Sequence, residues 1–571
     1  MSLRALVCWA VLALSLASVP DRAAADEPNL VTRARALGIP RSVAWQRLLH
    51  QRPAAWGGVV SEIDGREFFL SPSGKRDPDA ELEATLVSFV APVVPGHEDE
   101  HALCRFPARL HFLDGQLHFA DALHAPACPS LARFDAAVDL TGVAIVFAAN
   151  YLNKPASAFG HTFMRLRRRR PVGSTEPSER LDLGVDYLAT TDTKNPVFYA
   201  FKGLTGLFPG TVRFHSYEAK LEEYGHAQRD IWEYDLSLTA RELTMLKEHL
   251  WEIESTHLDY FYLTKNCSYE VLALLEAAAP RLDLISDLNA VVVPADTIKA
   301  LLSVVGLVGD VHYRPSQLSQ RRAGTSHDEA RETDSGPARV PADKAPENGH
   351  GSMRVTLGTG MTTQYGTGFA TLGYRLVLHD LGDPSDGEPE LSEVQFFDTR
   401  MRYDMERSAL TLDRLTFAEF FTLNPITRFE HALSWRVQAF GVRLHDRDCP
   451  DGFAHGLDGS LGGTLATGDE RVAFFAMGDA YVAFSGSLDG LAGSIVRLGV
   501  GPFAGLRVRL PFETVGVVTG SVAYLPGERL RATYDVRATL RGMIARNVAL
   551  GVEAAMQPLS KEASLDSYLY F

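Results

Sequence analysis

The sequence predicts two folded units of different class, an α+β domain followed by an antiparallel transmembrane β-barrel of about 12 strands. Three observations carry that expectation. Residues 317–351 are dense in Arg, Asp, Glu, Pro, Ser and Gly and nearly free of large apolar side chains, so burial there cannot offset ordering entropy. Upstream of this stretch, helical and strand patterns mix. Downstream of it the apolar period becomes two, the period of a strand with one face in each environment.

With 571 residues, 46% hydrophobic and 22% charged, the chain has room for several domains and an ordinary globular composition. Its 71 acidic and 56 basic residues give a net charge of −15, so no basic field attracts nucleic acid and no such partner is expected. Residues 1–25 read as a secretory signal: Arg4, an apolar run from Ala5 to Ala17, and Ala23 and Ala25 placed for cleavage after Ala25. Cys8 lies inside the apolar run, not just after it, which disfavours a lipoprotein signal. No later run of about 18 uncharged apolar residues predicts a membrane-spanning helix.

The expected organisation is signal peptide 1–25, N-terminal accessory region 26–135, α+β domain 136–316, flexible linker 317–351 and barrel 352–571. Asp77 and Pro78, suited to an N-cap and a first turn, predict a helix over 79–90. Thr239 with Glu242 predicts a capping box for a helix running to about Ser255.

In the barrel half, Leu530, Ala532, Tyr534, Val536, Ala538 and Leu540 alternate with Arg529, Arg531, Thr533, Asp535, Arg537, Thr539 and Arg541. Val548 to Met556 and Leu433 to Ala439 repeat the alternation. An apolar outer face and a charged inner one suit a lipid-embedded barrel, which must close to pair every backbone group. The end of the chain, Tyr568-Leu569-Tyr570-Phe571, places Leu565, Leu569 and Phe571 on one face and resembles the C-terminal assembly signal of bacterial outer-membrane proteins. About 220 residues at roughly 18 per strand and turn give about 12 strands. The competing reading is a soluble β-sandwich, which rarely needs Arg at four alternating places in one strand.

Chemistry is therefore expected upstream. Cys449 lies among turn formers and reads as a loop thiol, and Cys104 and Cys128, 24 residues apart, suit a structural disulfide in an oxidising compartment. Cys267 remains. Asn266 is a good N-cap for the helical segment that follows, which puts Cys267 in a first turn, where free N–H groups and the macrodipole favour a thiolate. A buried inert cysteine is the ordinary alternative. The candidate base is His161, on a strand behind Gly160; His215, His226, His249 and His257 lack a matching local context.

The strand FGHTFMRL at 159–166 and the helix start KNCSYEVLALL at 265–275 resemble the Lnb N-terminal periplasmic domain. That family is similar to the circularly permuted NlpC-type papain-like enzymes, including lecithin:retinol acyltransferase-like proteins, in which the histidine strand precedes the cysteine helix. The likeness spans roughly residues 40–310, including CRFPAR at 104–109 and RDIWEY at 229–234. The resemblance implies a papain-like fold with Cys267 as nucleophile and His161 as base. The third, orienting group would come from the next strand, which offers Asp182 and Asp186, and Asp186 is preferred. Asn153, Ser157 and Asn266 are candidate hydrogen-bonding residues for substrate or oxyanion, with turn formation the alternative for the first two.

The same resemblance implies lipoprotein N-acyltransfer: an acyl chain passes from phospholipid to a Cys267 thioester, then to the amine of a lipoprotein N-terminus. Phospholipid and lipoprotein are the expected substrates, and the outer membrane the expected surroundings. Cleavage of peptidoglycan peptides by an NlpC-type amidase starts from the same thiolate, and a non-enzymatic barrel with a periplasmic binding module is a third reading. The aromatic segment 196–210 suits an acyl-chain channel, a membrane-contacting loop, or plain core. Arg165 and Arg167 to Arg170 could face anionic head groups or form a solvated turn. His97-Glu98-Asp99-Glu100-His101 matches H-E-x-x-H, but Pro95, Gly96 and Pro107 leave little room for the helix that a zinc site requires. No phosphate-binding glycine loop precedes a plausible helix, so neither metal nor cofactor is expected, and nothing in the pattern specifies an oligomeric state.

Overall fold

The computed structural model describes residues 22–571 apart from 151–158, 172, 174, 177, 227, 324–343, 365, 385, 389, 429–430, 446–451, 489–493 and 529–530. Residues 1–21 of the expected signal peptide 1–25, together with Asn153, Ser157 and Cys449, lie outside the described residues.

The N-terminal region is helical: α1 (Arg22–Ala36), α2 (Pro78–Val90) and α3 (Pro107–Leu117) are its longer elements. Asp77 caps α2 by accepting from the amides of Asp79 and Ala80, as the sequence predicts. A disulfide joins Cys104 to Cys128. The expected boundary near residue 135 does not divide the core. One apolar cluster runs from Leu30 through Leu86 and Phe106 to Ile145, Leu250 and Leu275. The fully buried Arg109 ties the two parts together: its guanidinium donates to Glu81 (2.6 Å) and the Phe68 carbonyl (2.7 Å), while its amide donates to Glu252 (2.9 Å).

The following domain contains β1 (Leu140–Ala148), β2 (His161–Arg168), β3 (Leu183–Ala189), α4 (Pro196–Thr205), β4 (Phe208–Ser216), α5 (Tyr217–His226), β5 (Ile231–Leu236), α6 (Ala240–Glu254), β6 (Leu258–Tyr260), α7 (Cys267–Ala278), α8 (Pro294–Ser303) and β7 (Val308–Arg314). Its seven strands form one antiparallel sheet in the order β6-β4-β3-β2-β1-β5-β7. The Thr239–Glu242 capping box is present at the start of α6. Helix α7 is buried along nearly its whole length, from Cys267 to Ala278, and so belongs to the core, unlike a surface helix with one apolar stripe. Residues 317–351 are not uniformly linker: Gln317–Ala323 is helical, and Glu347 accepts a hydrogen bond from the Tyr234 hydroxyl (2.6 Å).

The C-terminal half is β8 (Arg354–Thr362), β9 (Thr367–Arg375), β10 (Ser392–Asp404), β11 (Ala409–Thr422), β12 (Ser434–Arg443), β13 (Phe453–Ala466), β14 (Val472–Phe484), β15 (Val496–Leu510), β16 (Thr514–Tyr524), β17 (Ala532–Ala545), β18 (Val548–Met556) and β19 (Lys561–Tyr570). Each strand pairs antiparallel with the next, and β8 pairs with β19, so the twelve strands close a barrel. Closure excludes the sandwich reading. Alternation follows the sequence pattern: Thr533, Asp535, Arg537, Thr539 and Arg541 line the lumen, while Leu540 is exposed on the outside. On β19, Tyr568 and Tyr570 are buried and Leu565 and Leu569 face out, with Phe571 just beyond.

Two features join the halves. A three-residue strand, Val377–His379, continues β9, and the chain then turns into the lumen, where Asp380 and Asp383 meet barrel-wall arginines. Outside, the domain packs on the barrel wall. Glu393, Gln395, Glu419 and Phe421 line the lumen, so their neighbours Val394, Phe396, Ala418 and Phe420 point outward. These outward side chains, with Val377 and Leu378, form one apolar cluster with Phe159, Leu263, Val291 and Val293 of the domain. Polar contacts Ser352–Asp296 (2.6 Å) and Lys299 to the His350 carbonyl (2.7 Å) lie at the same end.

Candidate active site

Cys267 opens α7, as the Asn266 cap predicts. Asn266 Oδ1 accepts from the Ser268 and Tyr269 amides and the Ser268 hydroxyl, while its Nδ2 donates to the Tyr262 and Val292 carbonyls. The expectation that Asn266 binds substrate is therefore corrected: both amide hydrogens and the oxygen are committed to holding the turn. The Cys267 amide donates to the Tyr260 hydroxyl at 3.1 Å, and the residue is 5% exposed.

His161 opens β2. Gly160 before it has φ +84°, and a Cβ there would lie 2.8 Å from Asn150 Oδ1 and 3.0 Å from the Phe147 ring, so both conformation and space require glycine. The register of β2 between β1 and β3 then fixes the imidazole between two partners. Nδ1 lies 3.1 Å from Cys267 Sγ and Nε2 lies 3.1 Å from Asp186 Oδ1. Of the two carboxylates on the neighbouring segment, Asp182 is occupied elsewhere, accepting from Arg165 Nε (2.8 Å) and the Arg168 amide (3.1 Å).

The electrostatics form a relay. Burial opposes charge on Asp186, but His161 and Lys220, whose Nζ lies 2.7 Å from Oδ2, hold its pKa down at about 2. Burial would also lower the pKa of His161, yet the Cys267 thiolate and Asp186 outweigh it and raise the imidazole to about 9. For Cys267, burial favours the neutral thiol, and this is overcome by His161, the Thr162 backbone and the Tyr260 hydroxyl, so its pKa falls below the ordinary thiol value. Both shifts favour the thiolate–imidazolium form of the pair, with the carboxylate orienting the ring. Such a pair can attack an acyl carbonyl without an external base, and the imidazolium can protonate the leaving group.

Three residues beyond the sequence expectations complete the site. Tyr260, seven residues before the cysteine, supplies a hydroxyl beside both thiolate and amide, and it lies in the aromatic run that marks this segment. Lys220 reaches Asp186 from α5 with no local signal in the sequence. His215, which local context sets aside, lies with Nε2 3.2 Å from Asp186 Oδ2. Burial and the Lys220 charge lower its pKa, so it stands there as a neutral ring.

One other expectation is corrected. The basic run does not meet head groups: Arg165 is buried between Asp182 and Glu233, Arg167 pairs with Asp235, and Arg169 pairs with Asp139. The histidines of H-E-x-x-H diverge around a single 3₁₀ turn, His97 turning to Glu100 and His101 to the Ala91 carbonyl and the Leu103 amide.

Residues 130–304 match the family model described as the Lnb N-terminal periplasmic domain, with the facing Cys267 and His161 inside the match. This segment is an Lnb domain. Residues 38–116 and 343–571 match two models described as domains of unknown function, DUF7843 and DUF7840. No curated protein matches the chain. Similar solved structures include KdgM porin (8% identity, TM-score 0.23, covering 38% of this chain and 99% of the porin). NanC porin is also similar (8% identity, TM-score 0.24, 38% and 98%), as is the Acinetobacter baumannii outer membrane protein Omp33 (12% identity, TM-score 0.22, 39% and 100%). A periplasmic Lnb domain followed by a closed barrel with an apolar outer face makes this an outer-membrane protein, its Lnb domain on the periplasmic side.

Proposed function

We propose that the protein is an envelope thiol acyltransferase, moving an acyl chain from phospholipid through a Cys267 thioester to an amine, the N-terminus of a lipoprotein. The observation that carries this reading is the Cys267–His161–Asp186 alignment beside an outward-facing barrel surface. In the first half-reaction the thiolate attacks the ester carbonyl, and the His161 imidazolium gives its proton to the departing lysolipid alkoxide. The Tyr260 hydroxyl stands where an oxyanion next to Cys267 would need a donor. In the second, the amine attacks the thioester, His161 takes the amine proton, and the thiolate leaves. Water in place of the amine would make the same site a hydrolase, so exclusion of water by the lipid environment favours transfer.

The test is intact-mass spectrometry after incubation with phospholipid, comparing wild type with Cys267→Ala and His161→Ala. A hydroxylamine-labile acyl adduct on wild type alone is the expected result. A cleaved peptidoglycan peptide without any adduct would reassign the site as a cell-wall amidase. Silence in both assays would favour a binding module.

A further inference from the structure

Helix α4 has two faces of different fate. One face packs inward: the amide of Tyr262 donates to the Gly203 carbonyl at 2.8 Å, and Tyr199 sits 5.5 Å from the Tyr262 ring, centroid to centroid. A Cβ at Gly203 would lie 2.2 Å from the Tyr262 ring, and one at Gly206 would lie 2.1 Å from the Phe261 ring, so these glycines let the helix lie directly on the segment leading to Cys267. The other face holds Phe198 (61% exposed), Phe201 (56%) and Leu204 (39%), with Leu207 (55%) just past the helix end. Spaced by three residues, these side chains form a ridge that the described residues leave substantially exposed.

Its position supplies the occupant. Leu263, the residue after Tyr262, belongs to the cluster formed with the outward side chains of β10 and β11. Beside that cluster on the same strands, Phe397 and Phe417 are 43% exposed each and pack ring to ring, 6.4 Å apart, on the outer side of the barrel. Exposed aromatics at that place suit the girdle that such barrels carry at the membrane boundary. The apolar surface is thus continuous in chemistry from lipid-facing wall to docked segment to ridge. Lys202, the one ionised side chain within α4, is turned to Asp192 (2.5 Å) and lies over the Phe208 ring.

We infer that the α4 ridge dips into the periplasmic leaflet of the outer membrane and holds the mouth of the Cys267 site against phospholipid. This lipid dock does not depend on the chemistry at Cys267. An interfacial helix of this kind binds through its apolar face at head-group depth, while the barrel supplies the permanent anchor.

The test uses the full mature protein in phosphatidylcholine nanodiscs, in a Cys267→Ser, Cys449→Ser background that leaves the disulfide intact. An NBD fluorophore is attached at Phe201→Cys, at Leu207→Cys and, as a control, at Glu222→Cys on the exposed side of α5. Lipid carrying a doxyl group near the head group is expected to quench the two ridge positions by about half and leave the control unchanged, with iodide giving the reverse order. Quenching of the ridge by iodide as strong as that of the control would overturn the inference, because water then covers the ridge. Protection from both quenchers would overturn it too, since a second protein surface would be the occupant. Lipid quenching with no acyl adduct in the mass experiment supports the dock and counts against acyl transfer alone.

Discussion

The ring of Phe159, two residues before His161, stacks on Phe396 of the barrel wall with centroids 5.8 Å apart and planes 29° apart. The candidate active site is therefore mounted on the barrel itself, with Leu263, four residues before Cys267, in the same apolar cluster. Phe396→Ala removes the centre of this contact and should weaken docking by about 3 kcal/mol, the low end for a buried aromatic because Phe159 is only partly covered. Hydrogen exchange reads this directly. Amides of residues 261–265 and 291–293 should exchange faster in the variant while those of β16 and β17 keep wild-type rates. Unchanged exchange at 261–265 would mean that the polar contacts at Ser352 and Lys299 hold the domain by themselves.

The thiolate–imidazolium pair makes two assays diverge with pH. Because Cys267 titrates below the ordinary thiol range, alkylation by iodoacetamide should reach its plateau at a lower pH than a free cysteine thiol does and stay there as pH rises. Acyl transfer also needs the imidazolium proton. It should rise with the same lower limb and then fall as His161 deprotonates at about 9. The sign follows from the roles: acid removes the nucleophile, and base removes the general acid. A turnover profile that stays flat above pH 10 would show that some other group protonates the leaving alkoxide.

Removal of the carboxylate should lower the upper limb. Asp186→Asn keeps the shape but loses one of the charges that raise His161, so the limb should move below 9 and turnover should drop by about 10²–10⁴-fold. Lys220 acts through Asp186 and is a positioning residue. Lys220→Met should cost about tenfold or less, with Lys220→Arg restoring most of it, since either cation can face Asp186 Oδ2. A merely structural lysine would instead lower the melting temperature and leave the rate of the folded fraction unchanged.

The strand half of the fold was legible because one physical constraint, apolar outside and polar inside, acts at every second residue. Arg537 and Arg541 declare the lumen, and Leu565 and Leu569 declare the lipid face, before any coordinate is known. The cysteine was equally legible, since Asn266 announces the helix start locally. What stayed hidden depends on partners distant in sequence. Lys220 and His215 reach Asp186 only once the sheet and α5 are assembled. Arg109 fuses the accessory region to the domain through Glu81 and Glu252, residues 28 and 143 positions away. The arginines at 165–169 read as a surface run because their acidic partners lie on other strands and loops.

The segment after Val377–His379 is a case of the same kind, and it lies in the lumen. Asp380 and Asp383 belong to it. In the structure they carry a buried ionic knot: Arg354 reaches Asp380 (2.5 Å), Arg375 reaches Asp383 (2.6 Å), Arg541 contacts both, and the Tyr570 hydroxyl donates to Asp383 (2.6 Å). Between them Leu381 packs with Phe421, Phe475, Val515 and Val517, so the segment fills part of the domain-proximal end of a lumen that keeps a cavity of about 420 Å³. Asp380→Ala with Asp383→Ala leaves buried arginines unpaired, and breaking such pairs costs about 3–5 kcal/mol, enough to release the segment. Planar-bilayer recordings should then show a conductance several times that of wild type. Retained fast migration of the unheated barrel on denaturing gels checks that the strands remain closed. An intact barrel with unchanged conductance would mean that Leu381 and the backbone contact from Arg507 to its carbonyl (3.0 Å) hold the plug without the knot.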